Sequence, residues 1–213
     1  MNLLEAIPHL YDYCENHTTP ETDLLHNVTR ETHLKTLAPR MISGHLQGRF
    51  LSLIAQLMRP KRILEIGTFT GYATLCLAEG LADEGILHAI EANDELAHLI
   101  EHNIAQSSFK DKIQLHIGEA LKILPTLDER FDLVFIDAAK REYAAYYDAV
   151  IEKVNTGGLI IADNVLWSGK VLEDKKDLDT QIIDSFNKKL ANDSRVETVL
   201  LPLRDGLMIA RKK

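Results

Sequence analysis

Two stretches decide the fold of this chain: Phe131-Asp132-Leu133-Val134-Phe135-Ile136-Asp137 and Gly158-Leu159-Ile160-Ile161-Ala162-Asp163-Asn164. Each is a short apolar run that stops on a carboxylate. Such a run, rich in β-branched and aromatic residues, reads as a strand buried on both faces, and strands of that kind belong to parallel sheets covered by helices. Three earlier runs share the character: RILEIG at 62–67, ILHAIE at 86–91 and IQLHIG at 113–118. Segments of helical period separate the runs, at 72–81, 94–106 and 141–154, the last closed by Gly157-Gly158 as a C-terminal stop. Strands alternating with helices specify βαβ units. Beyond a further helix at 180–192, the runs 196–203 and 207–211 flank Arg204-Asp205-Gly206, which reads as the turn of an antiparallel hairpin. The sequence thus predicts an α/β fold: a mostly parallel seven-stranded sheet with a C-terminal antiparallel hairpin and helices on both faces.

Carboxylates that end parallel strands project from one edge of the sheet. Neighbouring strands lie about 4.8 Å apart, so adjacency of the two runs would bring Asp137, Asp163 and the amide oxygen of Asn164 within reach of one ion. An all-oxygen set suits Mg²⁺, Mn²⁺ or Ca²⁺ rather than zinc, and three protein ligands leave positions open for water or an oxygen-bearing substrate. The competing reading is that Asp163 and Asn164 only cap the next turn. Upstream, LEIGTFTGY at 64–72 leaves the first strand and opens the first helix, where Gly67 and Gly71 permit a sharp turn and close backbone approach to a ligand. Glu91 ends the second strand, where a carboxylate can accept hydrogen bonds from both ribose hydroxyls. Plain turn glycines and a solvated loop acid are the alternative.

With 213 residues, 46% hydrophobic, the chain suits a single domain, in which residues 1–60 form a helical cover or subunit contact and 61–213 the binding core. The formal charge of −8 weighs against an electrostatic grip on nucleic acid or an anionic membrane. No run reaches 18 consecutive apolar residues, so no membrane span is expected. Cys14 and Cys76 are the only cysteines, and the N-terminus lacks a basic lead with a cleavable apolar core, which points to a reduced, cytoplasmic protein. Leu3, Leu4, Ile7, Leu10, Leu24 and Leu25 suggest the subunit contact. His98 and His102 have helical spacing but lack the Glu of H-E-x-x-H, so an exposed helix face is preferred to zinc.

From about residue 41 onward, LEIGTFTGYAT, the acidic Glu91, IGEALKILP, FDLVFIDAAKREY, GGLIIADNVLWSGKV and LPLRDGLMIARK together resemble the metal-dependent O-methyltransferases that use S-adenosylmethionine, the group of catechol and caffeoyl-CoA enzymes. The resemblance implies a Rossmann-like methyltransferase fold, an S-adenosylmethionine cofactor, a divalent cation on Asp137, Asp163 and Asn164, Lys140 at the position of the catalytic base, and a homodimer. It sets Glu65, Gly67, Thr68 and Phe69 around the methionine half of the cofactor, with Gly71 and Ala73 in the same turn. Glu91 matches the ribose acid, Ala120 the adenine contact, Asp137 and Tyr146 further cofactor-side positions, and Met41 and Ile42 the segment that closes over the cofactor.

Ala73 stands where relatives often carry a Ser, which leaves its backbone N–H as the donor. Ala138-Ala139 replaces the His-Trp pair of the animal catechol enzymes, and Ala139 an Asp of many caffeoyl-CoA enzymes, so adenine packing must differ. The acceptor implied is a small catechol- or caffeoyl-type molecule with two vicinal hydroxyls; Phe50, Trp167 and residues 171–179 are candidates for its walls, and Trp167 is equally a candidate core aromatic. Two alternatives stand beside it: a hydroxylated uridine in transfer RNA, and a non-catalytic cofactor-binding module, against which the presence of Asp137, Lys140, Asp163 and Asn164 counts.

Overall fold

The computed structural model describes residues 9–213, so Leu3, Leu4 and Ile7 of the expected subunit contact lie outside the described residues. Seven strands form one sheet: β1 (Arg62–Ile66), β2 (Ile86–Glu91), β3 (Ile113–Ile117), β4 (Phe131–Ile136), β5 (Val154–Ala162), β6 (Val196–Leu201) and β7 (Leu207–Lys212). Their order is β3-β2-β1-β4-β5-β7-β6. The first five pair in parallel, while β7 pairs antiparallel with both β5 and β6 and so alone runs against the rest. This is the α/β sheet with closing hairpin that the apolar runs predict.

Among the described residues eight α-helices accompany the strands: α1 (Leu10–Asn16), α2 (Asp23–Lys35), α3 (His45–Met58), α4 (Tyr72–Ala78), α5 (Ala97–Ala105), α6 (Ala120–Ile123), α7 (Tyr143–Ile151) and α8 (Leu178–Ala191). Alternation along each strand divides the core in two. Ile63, Leu87, Leu133 and Phe135 pack with Val28, Leu51, Leu75 and Ile100 from α2 to α5. Leu64, Ile66, Val134 and Ile160 face the other way, onto Tyr143 and Tyr147 of α7 and Ile183 and Phe186 of α8. Full burial of each such side chain contributes roughly 1.5–3 kcal/mol, which is why strands and helices of this pattern exclude a one-sided sheet.

Element ends depart from the sequence reading for local reasons. The Gly157-Gly158 pair does not stop a helix; α7 ends at Ile151 and β5 already begins at Val154. Pairing shifts register between Phe131 and Leu133, with Val154 opposite Phe131 and Leu159 opposite Leu133. The excess residues bulge out of β5, where Gly157 takes φ +84° and a Cβ on Gly158 would lie 2.9 Å from the Asp132 carbonyl oxygen. Helix α8 starts two residues early because Asp177 caps it, its Oδ1 accepting from the Thr180 N–H at 2.8 Å. Strand β6 stops at Leu201, before Pro202, which has no N–H to donate.

The N-terminal cover is built into the chain's own core. Leu25 is 1% exposed and so belongs to the chain's own core, and Leu24, partly buried, packs against the same cluster. Thr32 on α2 meets Thr70 beyond β1, hydroxyl to hydroxyl at 2.8 Å. Among the described residues no helix is long and apolar enough to cross a membrane.

Helix α4 ends at Ala78 rather than 81 because the chain must turn under α3: a Cβ on Gly80 would stand 2.1 Å from the Ala55 carbonyl carbon. Gly80→Ala should therefore lower the unfolding free energy by about 1–3 kcal/mol in urea denaturation. An unchanged midpoint would contradict this close approach.

Candidate active site

The strand order reverses between β1 and β4, and in open α/β sheets the crevice at such a point, outside the carboxyl ends, receives ligands. Backbone bonds carry the ladder past the strand ends. Gly67 N–H donates to Ile90 O (2.9 Å), Asp137 N–H to Ile66 O (2.9 Å) and Asp163 N–H to Ile136 O (3.0 Å). That stitching sets Glu91, Gly67, Asp137 and Asp163 along one edge. Gly67 has φ +94°, and a Cβ there would fall 2.0 Å from the Asp137 carbonyl oxygen, so no other residue fits.

Two cavities meet at this edge and share Met41, Gly67, Phe69, Asp137 and Ala138. The larger, about 1050 Å³, is walled by Ile42, Thr68 and Ala73 on one side and by Lys140, Asp163, Asn164 and Trp167 on the other. The second, about 730 Å³, runs past Glu91 to Ala120 and Tyr146. Gly71 lines neither cavity; with φ +88° it shapes the turn that opens α4. Val171 and Leu172 reach the larger cavity but 173–179 do not, and Phe50 packs into the core instead of walling a pocket.

Glu91 is fixed at both oxygens: Oε2 accepts from the Phe69 N–H (2.8 Å) and Oε1 from the Asn93 N–H (2.9 Å). Each oxygen keeps a lone pair for a further donor. Glu65, which the resemblance places around the cofactor, lines neither cavity. It is fully buried beneath the turn, where its Oε2 accepts from Thr74 (2.5 Å) and Thr68 (3.3 Å) and its Oε1 has no partner. Burial pushes its carboxyl up to about 8, against the opposing pull of the two threonine hydroxyls.

Asp137, beyond β4, and Asp163 and Asn164, beyond β5, line the same cavity. Lys140 Nζ donates to Asp137 Oδ1 (2.7 Å) and to Tyr143 Oη (2.6 Å), and the Tyr143 hydroxyl donates to the Asp163 carbonyl oxygen (3.0 Å). Burial above all holds the Tyr143 phenol well above its ordinary pKa, so it stays a neutral donor. Asp163 is 2% exposed; its Oδ1 accepts from the Asn164 N–H (2.6 Å) and its Oδ2 from Gln47 Nε2 (2.7 Å). Burial first and the Asp137 charge second raise the Asp163 carboxyl. Gln47 and Tyr143 escaped the sequence reading. For Gln47 a signal existed, since it is a polar residue on the buried face of α3 with Leu51 and Ala55.

Seven non-glycine residues among those described have positive φ, and five of them, Phe69, Asn164, Trp167, Ser168 and Arg204, line the larger cavity. Backbone strain of this kind concentrates where a site demands it. Arg204, in the turn between β6 and β7, donates from Nη1 to Ile42 O (3.0 Å) and to Ser43 O, tying the hairpin to the segment beside the cavity. His98 and His102 are exposed on α5, and no cluster of three or more His, Cys, Asp or Glu residues able to hold a metal occurs among the described residues.

The order of the sheet and the cavities at its carboxyl edge define a Rossmann-like α/β protein with its crevice at the switch point. Residues 15–213 match the O-methyltransferase family model. The chain is 37% identical over 178 residues to caffeoyl-CoA O-methyltransferase 1 of Eucalyptus globulus, spanning 78% of this chain and 72% of that one. It is 36% identical over 174 residues to a catechol O-methyltransferase of Niastella koreensis, spanning 77% and 79%. The crystal structure of an O-methyltransferase from Bacillus cereus in complex with SAH superposes with a TM-score of 0.90 at 30% identity, covering 99% of this chain and 100% of that one. This chain belongs to the O-methyltransferase family.

The buried Glu65 generates a pH dependence. Its carboxyl is raised in the fold to about 8 against 4.5 for an ordinary glutamate, so the unfolded chain gives up this proton more readily. Stability is then full below about pH 4.5 and falls as pH rises towards 8. Compared with Glu65→Gln, which cannot titrate, the wild type should lose stability in urea denaturation between pH 5.5 and 8.5. Parallel profiles for the two proteins would refute this.

Proposed function

The family supplies O-methyl transfer; we propose that the methyl donor is S-adenosylmethionine, that a divalent cation assists, and that the acceptor is a small aromatic molecule with two vicinal hydroxyls. The observation that carries the reading is a single cavity walled both by the glycine turn at 67–73 and by Asp137, Lys140, Asp163 and Asn164. Donor and acceptor would share one compartment, as an in-line displacement at carbon requires.

The residues fit both groups. Glu91, oriented by Phe69 and Asn93, retains acceptor capacity for ribose hydroxyls. Two carboxylates and an amide form a hard oxygen set for Mg²⁺, Mn²⁺ or Ca²⁺, and beside Asp163 the buried Gln47 Oε1 lacks any hydrogen-bond partner. Asp137, Asp163 and Asn164 would hold the cation. When bound, the cofactor supplies a methyl group on positive sulfur and the cation supplies Lewis-acid stabilisation of an ionised hydroxyl.

In this reading Lys140 Nζ, positioned by Asp137 and Tyr143, receives or steers the hydroxyl proton of the acceptor. Gln47 fixes the Asp163 carboxylate, and Trp167, Val171 and Leu172 screen the reacting atoms from water. The relatives named for caffeoyl-CoA and catechol favour a small aromatic acceptor over the transfer-RNA alternative. We include a homodimer in the proposal, supported by Leu53 and Leu57, 55% and 74% exposed one turn apart on α3; a monomer in sedimentation velocity at micromolar concentration would remove it.

The test is methyl transfer from S-adenosylmethionine to 3,4-dihydroxybenzoate with chelator, with added Mg²⁺, and in Asp137→Ala. Turnover should vanish with chelator, return with Mg²⁺ and drop by about a hundredfold or more in the variant, on the scale of losing one electrostatic stabiliser. Turnover indifferent to chelator would sink the cation, and tight cofactor binding without turnover on any vicinal diol would sink the acceptor class.

A further inference from the structure

The second cavity leads away from Glu91 to a wall that no strand-end carboxylate explains. If the ribose sits on Glu91, as proposed above, the adenine must occupy the remainder, between Gly118, Ala120, Ala139, Glu142 and Tyr146. Most of that wall is apolar or glycine. The exocyclic amine of adenine donates two hydrogen bonds, and leaving water without an acceptor is unfavourable.

Past Glu91, the side-chain carboxylates of Glu95, Glu119 and Glu142 border the cavity, all three exposed. Glu95 lies in the turn that follows β2, and Glu119 is already paired with Lys122 at 2.8 Å. Glu142 is held differently. It ends the short 3₁₀ turn Lys140–Glu142, and the hydroxyl of Tyr146, one helical turn on and with a buried ring, donates to its Oε2. After burial, the hydrogen-bonded Glu142 and, more weakly, the charges of Glu119 and Glu91 raise the Tyr146 phenol. Glu142 is therefore an acceptor oriented by a hydrogen bond at this end of the cavity.

We propose that Glu142, positioned by Tyr146, accepts a hydrogen bond from the exocyclic amine of the cofactor's adenine and makes the site select adenine over a base with oxygen at that position. The assignment rests on S-adenosylmethionine being the cofactor. A carboxylate facing a carbonyl oxygen sets acceptor against acceptor, so the deaminated base is rejected. Glu142→Gln offers an NH₂ that can donate to that oxygen, so it relaxes or inverts the choice. The departure at Ala138-Ala139 is thereby given a physical counterpart, since the polar contact at the base comes from the following turn.

The experiment is isothermal titration calorimetry of S-adenosylhomocysteine and its deaminated analogue S-inosylhomocysteine against wild type, Glu142→Gln, Glu142→Ala and Tyr146→Phe, with thermal melts to verify folding. Glu142 is exposed, so its substitution leaves the core intact. The wild type should prefer the adenosyl ligand by about tenfold or more, the effect of one well-placed hydrogen bond. Glu142→Ala should lose most of that preference, Glu142→Gln should lose or reverse it, and Tyr146→Phe should narrow it. An unchanged ratio in both Glu142 variants, with S-adenosylhomocysteine still bound, would overturn the proposal and leave the cofactor reading standing. Failure of the folded wild type to bind S-adenosylhomocysteine would overturn the cofactor reading, and this inference with it.

Discussion

The structure depends on one close approach, that of Gly67 to the Asp137 carbonyl. At the point where the sheet changes direction, the ends of β1 and β4 come so near that a methyl group on Gly67 would lie 2.0 Å from a backbone oxygen. The missing side chain lets the glycine turn and the carboxylate edge border the same space. Both cavities are consequently lined by Gly67 and Asp137. A Cβ there, and the backbone it displaced, would separate the glycine turn from the carboxylate edge, and the two would no longer border one space.

Around that contact the protein tolerates several unfavourable arrangements. Glu65 and Asp163 are carboxyls with almost no solvent contact, and five non-glycine residues on the larger cavity hold left-handed backbone. Each costs free energy on its own: burial penalises the charged carboxylates, and left-handed torsions are disfavoured for side chains with a Cβ. The two thick apolar layers on either side of the sheet offset these costs. Hydrogen bonds from Thr68, Thr74, Gln47 and the Asn164 amide keep the buried oxygens from being wholly unsatisfied.

What was legible in the sequence follows from range. Four of the five parallel strands are written in their own residues, because burial on both faces leaves a largely apolar run, whereas β3, at the sheet edge, exposes Gln114 and Ile117. Asp137, Asp163, Asn164 and Glu91 were legible for the same reason, each standing where such a run ends. Gln47 was marked only as a polar residue on a buried helix face; its partner Asp163, 116 residues away, had no local sign. Tyr143 is a core aromatic whose hydroxyl also links Lys140 to the β5 end, a double role that no residue pattern reveals. Gly157-Gly158 misled because a glycine pair after a helical segment serves a C-cap and a β-bulge equally well; only the register of β5 against β4 separates them. Glu65, two residues before Gly67, lies beneath the turn and lines neither cavity.

The backbone bonds that run on past the strands, Gly67 to Ile90, Asp137 to Ile66 and Asp163 to Ile136, use no side-chain atoms. Position and chemistry at this edge are thus encoded separately: main-chain pairing fixes where the four residues stand, and their side chains alone decide what is bound there. A scaffold of that kind is indifferent to its own ligand. Exchanging a carboxylate at the edge would change the cargo without redrawing the berth, which leaves the same architecture free to acquire new acceptors one residue at a time.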